Sequence, residues 1–197
     1  MYIFFRGLCK FIIFIIFRKK VYGAENFNKI EGRCIVCANH KSLTDPVLIA
    51  CSVKRPINFM AKKEIFKNPI LKWLFTGVKA FPVDRQGVTM SAMKHAINLL
   101  KEEEILGIFP EGTRVKEYNE NNAKPGISMI ANMTKSKIVP VYIKSNYKIF
   151  GKVQIVFGEP KDYFEGIEGR ITTDMHNEIG KKILRDIYSL EERLNDK

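Results

Sequence analysis

Several short stretches hold residue types that can move a proton or hold an anion. In Asn39-His40-Lys41-Ser42-Leu43-Thr44-Asp45-Pro46 a histidine precedes a carboxylate by five positions. A carboxylate that folds back onto the imidazole N–H fixes the tautomer. It also stabilises the imidazolium that forms when the other ring nitrogen accepts a proton. His40 is thus a candidate general base and Asp45 its orienting partner, suited to drawing a proton from a hydroxyl. The spacing alone is a weak signal and fits an aspartate N-cap beside an incidental surface histidine better. The other two histidines, His95 and His176, fall inside predicted helices.

A second block, Phe109-Pro110-Glu111-Gly112-Thr113-Arg114, follows an apolar run. Gly112 permits a tight loop and offers backbone N–H groups, a source of the donors that a developing oxyanion needs. The planar fork of Arg114 suits phosphate oxygens. Glu111 can hold either a substrate hydroxyl or the loop itself. Phe81-Pro82-Val83-Asp84-Arg85 supplies a second cation, Arg85, braced by Asp84. In Ile138-Val139-Pro140-Val141 the proline implies an edge strand or a bulge and a structural, site-lining role. Ser42 and Thr44 lack the flanking glycines of a nucleophile elbow and fit loop capping better. Cys34 and Cys37 form a CxxC, but on a strand they point to opposite faces, which fits buried thiols rather than a metal or redox pair.

These blocks need a frame. Apolar runs at 33–38, 58–61, 78–83, 105–109, 137–143 and 152–157 read as strands, with a short one at 20–23. Helical patterns at 46–52, 69–76, 88–103, 126–133 and 172–194 fall between and after them. Asp45 is expected at the N-cap of the first, with Pro46 next. Met93, Ile97 and Leu100 form one stripe, and Met175, Ile179, Ile183 and Ile187 another. Alternation of this kind predicts an α/β fold, a central largely parallel or mixed sheet flanked by helices, with functional loops at one end of the sheet.

The chain has 197 residues, 33 Lys+Arg and 21 Asp+Glu, for a net charge of +12, which fits an anionic partner. No zinc-finger spacing, RNP-like block or continuous basic helix supports nucleic acid as that partner. Residues 2–17 are almost wholly apolar, are interrupted by Arg6 and Lys10, and are followed by Arg18-Lys19-Lys20. A helix of this length spans about 24 Å, short of the roughly 30 Å of a hydrocarbon core. Three arrangements fit: a helix embedded in one leaflet, which fits best, a short span, and a buried core helix. Arg6 and Lys10 share a helical face from which they can reach headgroups, and the basic triplet can meet anionic lipid. The expected organisation is a membrane-associating helix over residues 1–20 and one catalytic domain over residues 21–197.

Taken in order, Asn39/His40/Asp45, Arg85, Glu111–Arg114 and Val139–Val141 resemble the glycerophospholipid acyltransferase family. The resemblance implies a fatty acyl thioester donor, acyl-CoA or acyl carrier protein. It implies transfer to the sn-2 hydroxyl of lysophosphatidate, giving phosphatidate. On that basis His40 and Asp45 are catalytic, and Arg85, Glu111, Gly112, Thr113 and Arg114 bind substrate. No metal or other cofactor is expected, and the active site faces the cytoplasmic side of the membrane. Another lysolipid or glycerol 3-phosphate as acceptor, and a non-catalytic lipid-binding module, are the alternatives.

Overall fold

The uncharged run Cys34–Ala38 becomes the middle strand of the molecule because it can be covered on both faces. The protein is described by a computed structural model covering residues 2–77, 79–83 and 90–194. Its strands are β1 (Arg18–Tyr22), β2 (Cys34–Ala38), β3 (Asn58–Lys62), β4 (Phe81–Val83), β5 (Ile105–Ile108), β6 (Ile138–Ser145) and β7 (Lys152–Phe157). They form one sheet in the order β1-β7-β6-β2-β5-β3-β4. Every neighbouring pair is parallel except β6 and β7. The expected α/β architecture is therefore present, with a mixed sheet.

The helices are α1 (Tyr2–Ile16), α2 (Ala24–Asn28), α3 (Asp45–Ala50), α4 (Pro69–Gly77), α5 (Met90–Lys101), α6 (Gly126–Thr134) and α7 (Thr173–Ser189). Alternate residues of β2 feed the two layers. Cys34, Val36 and Ala38 join a core with Phe27 of α2, Leu48 of α3, Phe75 of α4 and Ile13 of α1. Ile35 and Cys37 join the opposite core with Leu100 of α5, Ile130 of α6 and Ile183 of α7. The two cysteines of the CxxC thus lie buried on opposite sides of the sheet, where a period of two places them. The α7 stripe buries Ile179, Ile183 and Ile187 as expected. On α5 the fully buried positions are Ala92, Ala96 and Leu100, rather than Met93 and Ile97. Alanines on that face let the helix lie close against α6.

Two expectations change, and a third is met in one of its alternatives. Arg18, Lys19 and Lys20 belong to β1, paired in parallel with β7, so the N-terminal helix ends at Ile16 and the basic triplet is part of the sheet. Lys19 Nζ turns inward to the Cys51 carbonyl and Ser52 Oγ. Arg6 likewise bonds the carbonyls of Val53 and Lys54. The Cys51 carbonyl at the end of α3 holds Lys19 and the carbonyls of the turn that follows hold Arg6, so neither extends toward headgroups. Pro140 sits in an interior strand, not an edge, but at an irregularity. Ile138 bridges to Lys161 while Val141 pairs with Phe157, so three steps on β6 face four on the returning chain.

Candidate active site

Three adjacent parallel strands, β6, β2 and β5, end at the same edge of the sheet, and each delivers one loop to the site. From β2 the chain passes Asn39, which is fully buried. Its side chain accepts from the Ile143 N–H at 2.7 Å and donates to the Ile143 carbonyl at 3.0 Å. That two-way bond continues the β2–β6 ladder one residue past the strand and fixes where His40 leaves the sheet.

His40 Nδ1 lies 3.0 Å from Asp45 Oδ2. An ionised carboxylate can only accept, so Nδ1 carries the proton and Nε2 keeps its lone pair. The same Oδ2 accepts the N–H of Lys41 at 2.8 Å and of Ser42 at 2.7 Å. Asp45 therefore does not cap its helix from the N-cap position, which falls at Thr44. It stands in the first turn of α3 and folds back over its own loop. Pro46, in that first turn, has no N–H to leave unsatisfied. Ser42 Oγ and Thr44 Oγ1 bond each other at 2.9 Å, the expected loop-bracing role. The side chain of Asp45 is 0% exposed and that of His40 is 16% exposed, so the imidazole is the member of the pair that meets solvent. Phe109 stacks on the ring, with centroids 4.0 Å apart and planes 18° apart.

The Phe109–Arg114 loop approaches from β5. Glu111 is buried, and both of its oxygens are used: Oε2 accepts the His40 backbone N–H and Oε1 accepts the Tyr188 hydroxyl, each at 2.9 Å. Burial raises its pKa, against the lowering effect of those two hydrogen bonds. Of the two tasks expected of Glu111, these contacts fit the second: the side chain locks the β5 loop to the backbone of His40. The turn is closed by Gly112 N–H to the Phe109 carbonyl at 3.0 Å, with Gly112 at φ +67°. That N–H is committed and does not serve an oxyanion. Val115 N–H bonds the His40 carbonyl at 2.9 Å, a further tie between the loops. Thr113 and Arg114 are exposed at the rim beyond Gly112, and among the described residues none takes the Arg114 guanidinium. Arg85 and Asp84 lie outside the described residues.

Two tyrosines complete the site and were not marked by any motif. Tyr147, after β6, donates to Asp45 Oδ1 at 2.7 Å. Tyr188, near the end of α7, donates to Glu111. Burial and the adjacent carboxylate raise the pKa of each hydroxyl, so both remain protonated donors. Tyr188 falls four residues after Leu184 on the buried face of α7, a faint periodic signal. Tyr147 offers none. The remaining histidines lie apart from this cluster: His176 bonds Ser128 Oγ in the core at 2.8 Å, and His95 packs on Phe81.

A partly exposed histidine hydrogen-bonded to a buried aspartate, with an exposed arginine on the neighbouring loop, is an arrangement able to take a proton from a hydroxyl. Comparison with known proteins gives that arrangement a family. The profile of the Acyltransferase family matches residues 18–144. The 1-acyl-sn-glycerol-3-phosphate acyltransferase of Bacillus subtilis is 37% identical over 166 residues, which span 81% of this chain and 82% of the relative. The enzyme of that name from Streptococcus pneumoniae is 35% identical over 82% of this chain and 62% of its own length. The crystal structure of the 1-acyl-sn-glycerophosphate (LPA) acyltransferase from Thermotoga maritima superposes with a TM-score of 0.72 at 27% identity, covering 96% of this chain and 79% of that one. This chain belongs to the acyltransferase family.

Proposed function

We propose that the protein transfers a fatty acyl group from a thioester, acyl-CoA or acyl carrier protein, to the sn-2 hydroxyl of lysophosphatidate, giving phosphatidate. The names of the relatives support the acceptor. The observation that carries the chemistry is the 3.0 Å His40–Asp45 contact, with the imidazole as the exposed member. His40 Nε2 takes the acceptor hydroxyl proton as the oxygen attacks the thioester carbonyl carbon. The tetrahedral intermediate collapses, the C–S bond breaks, and the thiolate takes the proton back from the imidazolium. No enzyme nucleophile, metal or cofactor enters this sequence. Arg114 holds the acceptor phosphate, with Arg85 assigned the same task from the sequence pattern.

We further propose that the reaction runs at a lipid surface, on the cytoplasmic face that the family resemblance implies. No described helix is long and apolar enough to cross a membrane. The 15-residue α1 buries Cys9 and Ile13 against the domain and leaves Phe4, Phe11, Phe14 and Ile15 exposed, a pattern that supports a helix lying in one leaflet.

The test is thiol release from acyl-CoA or acyl carrier protein by purified protein, with and without lysophosphatidate. Release that requires the acceptor and falls at least a hundredfold in His40→Ala is expected. Lipid binding without turnover would reduce the protein to a binding module, and near-normal turnover in His40→Ala would remove the assigned base.

A further inference from the structure

The exposed apolar surface does not stop at α1. Toward the start of α1, Phe5 packs on Trp73 of α4 with ring centroids 4.5 Å apart. Gly77 leaves the space its ring needs: a Cβ there would stand 2.4 Å from Phe5. Trp73 is nonetheless 50% exposed and Ile70, beside it on α4, 73% exposed. At the other end of α1, Phe150 N–H bonds the Ile16 carbonyl and Arg18 N–H bonds the Gly151 carbonyl. The loop between β6 and β7 is thereby tied to the helix end, and there Ile149 is 73% and Phe150 64% exposed. Along α1 itself, Phe4, Phe11 and Ile15 recur at spacings of seven and four on the side opposite Cys9 and Ile13. Helix, α4 and loop form one apolar strip.

The loop is built, not loose. Tyr147 and Phe150 both adopt left-handed backbone, with φ of +54° and +59°, a conformation that costs a non-glycine residue about 1–2 kcal/mol. Ser145 Oγ accepts the Tyr147 N–H, Asn146 Oδ1 accepts the Lys148 N–H, and Gly151 N–H bonds the Lys148 carbonyl. A chain that takes on this strain to turn two large apolar side chains into water has them matched to an apolar partner.

Charge says which partner. Residues 1–24, 65–80 and 144–158 hold 11 of the 33 cations and none of the 21 acids, so the rest of the chain is balanced to +1. Lys79 and Lys144 are paired with Glu104 and Glu191. Lys10, Arg18, Lys20, Lys67, Lys72, Lys148 and Lys152 are exposed along the strip. An apolar strip whose own segments carry cations and no carboxylates fits an anionic lipid surface.

We propose that the lipid-facing surface comprises α1, Ile70 and Trp73 of α4, and Ile149 and Phe150 of the β6–β7 loop, and that this loop sets the distance of the active site from the lipid. The proposal rests on the reading of α1 as a lipid-surface helix. Tyr147 holds Asp45 and stands three residues from Phe150, at most about 10 Å along the chain. Seating Phe150 among acyl chains therefore holds the His40–Asp45 pair at the headgroup level, where a lysolipid hydroxyl lies.

The experiment is flotation of the full chain with vesicles of phosphatidylglycerol and phosphatidylcholine, paired with turnover of a water-soluble short-chain lysophosphatidate. Ile149→Ser/Phe150→Ser and Ile70→Ser/Trp73→Ser are each expected to lower the partition coefficient about tenfold. Turnover of the soluble acceptor should stay within twofold of wild type. Flotation unchanged in either double variant removes that segment from the surface. Loss of soluble turnover with unchanged flotation would mean that the loop acts through Tyr147 alone. Wild-type protein that fails to float but forms a dimer dissociated by the same variants would assign the strip to a second copy. Absence of turnover on any lysophosphatidate leaves the flotation readout standing, so failure of the enzymatic reading is told apart from failure of this one.

Discussion

Asp45→Asn separates the charge of the orienting residue from its geometry. The wild-type Oδ2 accepts three N–H groups and Oδ1 one hydroxyl. An asparagine that places its single oxygen at the Oδ2 position keeps the bonds to His40, Lys41 and Ser42. Its NH2 then faces Tyr147, whose hydroxyl can rotate to accept. The opposite orientation aims an amide at three donors and is excluded. The variant therefore folds, and the tautomer of His40 is retained. What is lost is the attraction between carboxylate and imidazolium when the proton arrives. Unit charges 3.0 Å apart at an effective dielectric constant of about 20 attract by about 5.5 kcal/mol. The amide dipole recovers part of this, leaving about 3–5 kcal/mol, or a fall in kcat of about 10²–10⁴. KM for both substrates should change little, because Asp45 is buried and touches neither. The assay is steady-state thiol release, with urea unfolding as the control for fold. Retention of more than a tenth of wild-type kcat by a folded Asp45→Asn would refute the assignment. Asp45→Ala is the poorer probe: it leaves buried backbone donors unpaired at about 1–3 kcal/mol each and confounds activity with stability.

Further expectations follow from the surrounding contacts. Arg114→Ala should raise KM for a phosphate-bearing acceptor about 10–100-fold with a smaller change in kcat, and an unchanged acceptor KM removes Arg114 from the phosphate. Burial raises the Glu111 pKa, so the folded protein holds that proton more tightly, and the associated stability is lost as pH rises from about 4.5 through the folded pKa. Glu111→Gln should therefore gain stability relative to wild type across that rise, measured by urea unfolding at several pH values; a difference constant with pH contradicts the buried charge. His176 has the opposite sign: burial lowers its pKa, so stability is present above about pH 6.5 and falls as pH drops below it, by at most about 1.4 kcal/mol per pH unit. His176→Gln should flatten the acid limb of stability between pH 5 and 7, and an unchanged limb would show that other groups set it.

The parts of the site that were legible in the sequence are the local ones. His40 and Asp45 are five positions apart in one loop, and a helix start with Pro46 behind it brings the carboxylate back over the ring. The alternation of strand and helix gave the α/β class, and the uncharged β2 run gave its buried centre. The parts not legible depend on distant pairings. Tyr147 reaches Asp45 across 102 positions, Tyr188 reaches Glu111 across 77, and Glu111 reaches His40 across 71. No local pattern encodes these contacts; they follow from the strand order that sets β6 and β5 on either side of β2. The partners of Arg6 and Lys19 are not legible for the same reason, because the carbonyls that hold them, at the end of α3 and in the turn after it, come from about 30 to 50 residues away. Which of its two expected tasks Glu111 performs is likewise not legible, because periodicity says nothing about which carboxylates have their oxygens already taken.

The choice of donors around the two carboxylates explains how a buried pair can remain reactive. A carboxylate withdrawn from water must be satisfied or it takes up a proton. A lysine or arginine against Asp45 would satisfy it, but would also cancel the charge that the imidazolium needs. The structure supplies neutral donors: two backbone N–H groups, one tyrosine hydroxyl and the neutral imidazole itself. These meet the hydrogen-bonding demand and leave the net charge of −1 in place. Glu111 is treated alike, with one backbone N–H and one tyrosine. Positive charge can then reach the Asp45 carboxylate at hydrogen-bond distance only when His40 is protonated, which in the proposed mechanism is the moment at which the acceptor oxygen is freed to attack. Exposed cations sit further out, at Arg114 and along the apolar strip, where an acceptor's phosphate and anionic headgroups can meet them without neutralising the pair.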